Sequence, residues 1–213
     1  QKSTLNQDFW QNEKLNPKVR KVIFAIVKNY LKSTNLRLSI DNIDEIEFTG
    51  SLANYNHNKF SDVDIHLLFD FSKLGADPEF IQDYLTAKAI NWNNKHAVTI
   101  FGHEVEIYVA EAGSEHHSTG IYSIKSDEWL TEPERDLKLS AELNLNKVKD
   151  KANKISKQID MLASKGNVPY DKIENLKNKI KKMRESGLEK DGEYSIENLA
   201  FKLLRRRVTQ NFR

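Results

Sequence analysis

The chain has 213 residues, no cysteine and a formal net charge of +2 at pH 7. That length holds one sizeable core and a smaller appendage, and the missing cysteines exclude disulfide frameworks, thiolate metal sites and a cysteine nucleophile. No apolar run approaches the length of a membrane span and no signal-peptide pattern is visible, so the expectation is a cytoplasmic protein with no membrane partner.

The charge balances only in sum. Residues 1–137 carry 14 Lys and Arg against 21 Asp and Glu, and residues 138–213 carry 19 against 10, so the two parts hold −7 and +9. This split predicts two modules meeting near residue 137, with an anionic partner for the second.

Residues 1–15 are polar and read as an irregular arm or a frayed helix. Asn16-Pro17 is a helix start, a capping residue followed by Pro in the first turn. Val19, Val22, Ile23, Ile26, Val27, Tyr30 and Leu31 then recur at helical spacing. Ile46 and Phe48 alternate with Glu45 and Glu47 in a short strand that ends at Gly50-Ser51. A polar loop follows, and the chain re-enters an apolar run at Val63, Ile65 and Leu67. Side chains on a strand alternate faces at about 3.3 Å per residue, so Asp62 and Asp64 project from one face, roughly 7 Å apart at their bases. Two acids so placed can reach a pair of metal ions about 3.5–4 Å apart.

Asp77-Pro78 starts a second helix, with Phe80, Ile81, Tyr84 and Leu85 assigned to its buried side. Residues 97–101 and 104–109 flank Gly102-His103 in the pattern of a hairpin with a two-residue turn. In its second arm Val105, Ile107 and Val109 share the core face, while Glu104 and Glu106 share the other. Residues 111–119 are loop. The pair His116-His117 has no third ligand at metal-binding spacing and is read as loop. Residues 120–124 form one more strand.

From Leu139 the period changes. Leu145, Val148, Ala152, Ile155, Ile159 and Leu162 make a heptad seam, broken at Gly166, Asn167 and Pro169 and resumed by Ile173, Leu176, Ile180 and Met183 as far as Gly187. Two such helices across a short breaker predict an antiparallel helical hairpin. A last helix, from Ser195 to about Arg207, buries Ile196, Leu199, Ala200, Leu203 and Leu204. Lys147, Lys151, Lys154, Lys157, Lys177, Lys179, Lys181 and Lys182 fall between the seams, either as solvated surface or as a face for nucleotide or nucleic acid.

Gly50-Ser51, ten further residues, Asp62-Val63-Asp64 and then an acid between apolar neighbours form a pattern that resembles the nucleotidyltransferases of the DNA polymerase β type. The resemblance covers about residues 18–125, and Ser61 before the first Asp also matches. It implies an α+β catalytic domain over 1–137, with a mixed sheet flanked by helices, followed by the basic all-helical domain over 138–213. It implies that Gly50 and Ser51 hold nucleotide phosphates, that Asp62 and Asp64 bind two Mg²⁺ (with Mn²⁺ a possible substitute), and that Glu106 completes the site nearest the attacking hydroxyl. The implied activity is transfer of a nucleoside monophosphate from an NTP, ATP first among them, to an acceptor hydroxyl with release of pyrophosphate, on acceptors that across the superfamily include RNA ends, nucleotides, antibiotics and proteins. The small size of the chain predicts template independence, and its basic helical half points to RNA or a nucleotide as acceptor. Backbone N–H groups at a Gly turn suit phosphate oxygens, and carboxylates suit Mg²⁺, on chemical grounds alone.

Two features depart from the pattern. Many relatives carry Arg and Gly in the loop after Gly-Ser, where this chain has residues 52–59 with His57 and Lys59 as substitutes for phosphate contact. The third acid is Glu instead of Asp, and Glu104 on the same face is the alternative to Glu106. The rival expectation is a catalytically inactive member of the fold that serves as a nucleic-acid or partner-binding module.

Overall fold

The computed structural model describes residues 2–114, 118–134, 145–164 and 170–211. His116-His117 and the breaker at Gly166, Asn167 and Pro169 lie outside them. The chain divides into two compact units, Gln1–Arg135 and Asp136–Arg213. No described helix is long and apolar enough to cross a membrane.

The first unit begins with a small hairpin, β1 (Trp10–Gln11) and β2 (Lys14–Leu15), whose turn places Asn12 and Glu13 at positive φ. This corrects the expectation of an irregular arm. Leu5, Phe9, Trp10 and Leu15 are buried in the main core, and Trp10 stacks on Phe48 with ring centroids 5.6 Å apart. Helix α1 (Pro17–Ser33) starts where the sequence predicts, with Asn16 Oδ1 accepting the Lys18 N–H at 3.0 Å. It buries every expected residue except Val22, which is 42% exposed at the edge of the stripe.

A six-stranded mixed sheet forms the unit's frame, made of β3 (Glu45–Thr49), β4 (Val63–Phe69), β5 (Thr99–Ile100), β6 (His103–Glu111), β7 (Ile121–Ser123) and β8 (Glu128–Thr131). Their order is β5-β6-β4-β3-β7-β8, with β4 and β6 parallel and all other neighbours antiparallel. The parallel pair is joined through helix α2 (Pro78–Lys95), since parallel strands cannot be linked by a tight turn. Asp77 caps α2 by accepting the Phe80 N–H at 2.9 Å. Its buried stripe is Ile81, Leu85, Ala89 and Trp92; Phe80 is 64% exposed and stacks on Tyr84 at the rim. The expected burial of Phe80 is therefore wrong, because the true stripe continues two turns further along the helix.

The β5–β6 turn is Phe101-Gly102, one residue earlier than the sequence reading, and both residues take positive φ. His103 joins β6 and is buried. Val105 and Ile107 face the core, as do Ile46 and Phe48 on β3 and Val63, Ile65 and Leu67 on β4.

The described residues of the second unit form three α-helices, α3 (Leu145–Ala163), α4 (Tyr170–Asp191) and α5 (Ile196–Asn211). Helix α5 packs against both α3 and α4. Val148, Ala152, Ile155, Ala200 and Leu204 form its buried centre, with Ile159, Ile180, Met183, Ile196, Leu199 and Leu203 packed around them. Gly187 does not end α4 as expected, because the helix runs on to Asp191. Its lack of a side chain serves packing instead: a Cβ there would lie 2.5 Å from Glu197 Cβ and 2.7 Å from Ser195 Oγ. Ser195 caps α5, its Oγ accepting the Asn198 N–H at 3.2 Å.

Candidate functional site

Strand β3 ends at Thr49, and the next residue, Gly50, has φ +75° and opens a 3-10 turn over Ser51–Ala53. An L-residue is strained at that φ. A side chain would also force the Asp64 carboxylate to move, since a Cβ on Gly50 would lie 1.9 Å from Asp64 Oδ2 and 2.8 Å from Asp64 Cγ. The Asp64 carboxylate therefore rests on the Gly50 backbone. Asp64 pairs in register with Thr49 on one side and with Glu106 on the other, so their side chains share one face of the sheet. Asp62 is half-buried and stands immediately before β4, not within it, because pairing with β6 begins at Val63.

The loop between Ser51 and Asp62 is closed by its own side chains. Ser51 Oγ donates to Ser61 Oγ at 2.6 Å, and Ser61 Oγ also accepts from the Asn58 backbone N–H at 3.0 Å and from Asn58 Nδ2 at 3.2 Å. The Ser61 carbonyl is 2.5 Å from His103 Nδ1. Ser51 and Ser61, ten positions apart, thus hold both ends of the motif together.

The N-terminal arm fastens this loop from outside. Trp10 Nε1 donates to the Leu52 carbonyl at 2.7 Å, the Lys2 N–H donates to the Tyr55 carbonyl at 2.7 Å, and His57 Nε2 lies 3.0 Å from the Thr4 carbonyl. Burial holds the His57 imidazole below its ordinary range. His57 is thus engaged with the arm, while Lys59 is exposed with its ammonium 4.8 Å from the centre of the Phe60 ring. Across the turn, the Gly50 N–H donates to Ser118 Oγ at 3.4 Å and Asn54 Nδ2 donates to Thr119 Oγ1.

One step further along the strands lies a second row on the same face, Ser123, Glu47, His66 and Tyr108 in register. Glu47 is only 7% exposed, and burial first, then the Glu45 charge, pushes its carboxyl up to about 7. His66 and Tyr108 stack with centroids 4.9 Å apart and planes at 27°. The Tyr108 hydroxyl donates to Glu106 Oε2.

Gly50, Ser51, Asp64 and Glu106 are thus brought together at one end of the β3–β4–β6 pairing, with Asp62 at its mouth. Glu104, two residues before Glu106 on the same face of β6, is exposed and pairs in register with Thr99 of β5. The donor set is all carboxylate, the chemistry of a hard cation such as Mg²⁺. Among the described residues no three His, Cys, Asp or Glu side chains converge on a single point as metal ligands. Sequence reasoning missed Trp10, His66, His103 and Tyr108. The one available signal for the arm was Phe9-Trp10, two large aromatics in an otherwise polar stretch. No protein-family model, no curated protein and no solved structure matches this chain.

Proposed function

We propose that the first unit is a metal-dependent, template-independent nucleotidyltransferase of the DNA polymerase β type, moving a nucleoside monophosphate from an NTP to an acceptor hydroxyl and releasing pyrophosphate. The observation that carries this reading is the seating of the Asp64 carboxylate on the Gly50 backbone with Glu106 as its lateral neighbour. A glycine turn at positive φ, a carboxylate against it and a second carboxylate on the adjacent strand support a site for phosphate and a cation.

In this reading the Gly50 N–H and the Ser51 hydroxyl turn from Ser118 and Ser61 to the triphosphate oxygens. Asp62, Asp64 and Glu106 would hold Mg²⁺, whose chemistry when bound would be to neutralise charge on the triphosphate and to make the acceptor hydroxyl more acidic. The chain's own contribution is positioning: the Ser51–Ser61 bond and the Trp10 clamp fix the loop before substrate arrives. No nucleophilic side chain is required. The basic surface of the second unit favours an RNA or nucleotide acceptor over a neutral small molecule, and in the same reading α3 and α4 form the arms of a helical hairpin.

The test is incubation of the protein with each α-phosphate-labelled NTP, with Mg²⁺ or Mn²⁺ and with EDTA, over RNA, nucleotide, small-molecule and self acceptors. Metal-dependent label transfer to one acceptor class is the expected result. Absence of transfer across the whole panel, with NTP still bound, assigns the chain to a binding role instead.

A further inference from the structure

We propose that Tyr108 is the positioning residue that makes Glu106, and not Glu104, the third metal-binding carboxylate; this rests on the nucleotidyltransferase reading above. Both glutamates lie on the same face of β6 and carry the same charge, so strand geometry alone does not choose between them. Their surroundings do. Glu106 stands beside Asp64 across the parallel pairing, and its Oε2 accepts the Tyr108 hydroxyl two residues along the same face. Glu104 pairs with Thr99 on the opposite strand and is more exposed.

The tyrosine answers a defect that a glutamate brings to such a site. Glutamate has one more rotatable bond than aspartate, and ordering it on a cation costs rotamer entropy. A phenol bonded to one carboxylate oxygen limits the rotamers that Glu106 samples and so lowers that cost. The phenol is itself braced, because its ring stacks on His66 at 4.9 Å, and His66 is the register partner of the buried Glu47. Hydrogen-bonded partners of metal-binding side chains govern affinity by about 10–100-fold when removed.

The experiment is a calorimetric titration of Mn²⁺ into the full chain in the presence of a non-hydrolysable ATP analogue, alongside thermal melting of each variant. Tyr108→Phe keeps the ring and its stack on His66 and removes only the hydroxyl. It is expected to weaken Mn²⁺ binding about tenfold with the melting temperature unchanged. Glu106→Gln is expected to weaken binding further, and Glu104→Gln to leave it as in the wild type. In the double variant the proposal has Tyr108→Phe add nothing to Glu106→Gln, the expected result where the hydroxyl acts through that carboxylate; independent effects would add. Tyr108→Phe binding within twofold of wild type, additive effects in the double variant, or a Glu104→Gln loss matching that of Glu106→Gln each overturns the proposal while the site reading stands. Should Asp64→Ala also bind Mn²⁺ as the wild type does, the site reading itself falls, and the role of Tyr108 with it.

Discussion

The polar groups of the candidate site and the α4 lysines of the helical unit are held in different ways. In the sheet unit the candidate site is tied down by contacts between separate stretches of chain: Trp10 to Leu52, Ser51 to Ser61 and Ser61 to His103. In the helical unit Lys177, Lys179, Lys181 and Lys182 are exposed, and their partners are surface contacts such as Lys181 with Glu185 at 3.8 Å and Lys179 with Gln158 at 3.3 Å. Groups fixed in this way can perform chemistry that needs placement to a fraction of an ångström. Mobile surface charges attract an anionic chain and say little about its geometry. The proposed reaction therefore belongs to the first unit and the proposed charge-driven binding to the second, and each proposal can be broken separately.

The largest expected effect is on the carboxylates. Asp62→Ala and Asp64→Ala should each lower nucleotidyl transfer by on the order of a thousandfold. Thermal melting should hold or rise, because neither side chain fills the core and removing one relieves like-charge repulsion. Activity of either variant within threefold of wild type, measured with labelled NTP, breaks the assignment. Gly50→Ala comes next. Its methyl group must displace the Asp64 carboxylate and sits at φ +75°, so transfer should drop about a hundredfold through misplacement. Stability should fall by about 1–3 kcal/mol in urea unfolding. Transfer equal to wild type would show that the Gly50–Asp64 contact plays no part in the reaction.

Glu47 tests what the sheet face costs the fold. Between the ordinary carboxylate value of 4.5 and about 7, folded Glu47 keeps a proton that the unfolded chain has lost. The folded state binds more protons there, so stability falls as pH rises through that window, and the loss is complete above it. Glu47→Gln removes the ionisable group. Urea unfolding should show the variant more stable than wild type at pH 8, by up to about 3 kcal/mol, and equal to it at pH 4.5 and below. A difference that does not change with pH would contradict the burial account.

The smallest effect concerns the helical unit. Each lysine that neutralises a phosphate of single-stranded RNA contributes about 0.7 to the slope of log affinity on log salt. Replacing Lys177, Lys179, Lys181 and Lys182 together by Gln should flatten that slope by up to about 3 units, with the metal requirement of transfer unchanged. Fluorescence titration of a labelled RNA at several salt concentrations measures both. A shallow slope that the substitutions leave unchanged makes this face ordinary solvated surface and points to a small-molecule acceptor.

What the sequence made legible was local. Asn16-Pro17 and Asp77-Pro78 cap helices that form where they predict, and the alternation around Phe48, Val63 and Val105 yields β3, β4 and β6. The order Gly50-Ser51, Asp62-x-Asp64, Glu106 likewise folds into neighbouring strand ends. What escaped depends on contacts distant in sequence. Trp10 reads as part of a polar arm until its indole is seen to meet Leu52, 42 residues on. Glu47 alternates correctly for a solvent-facing position, yet β4 and β7 flank it and it is buried. Gly187 has the look of a helix stop, and only the approach of Ser195 and Glu197 gives it another purpose. Tyr108 carried no motif at all; its significance comes from the carboxylate its hydroxyl meets.

The most direct test of the central claim compares two labels on one nucleotide. Wild-type protein is incubated with Mg²⁺, an acceptor and ATP labelled either at the α-phosphate or at the γ-phosphate. A nucleotidyltransferase places the α-label on the acceptor and releases the γ-label as pyrophosphate, one for one, and Asp64→Ala does neither. Appearance of the γ-label on the acceptor, or release of labelled orthophosphate without any α-label transfer, would contradict the account.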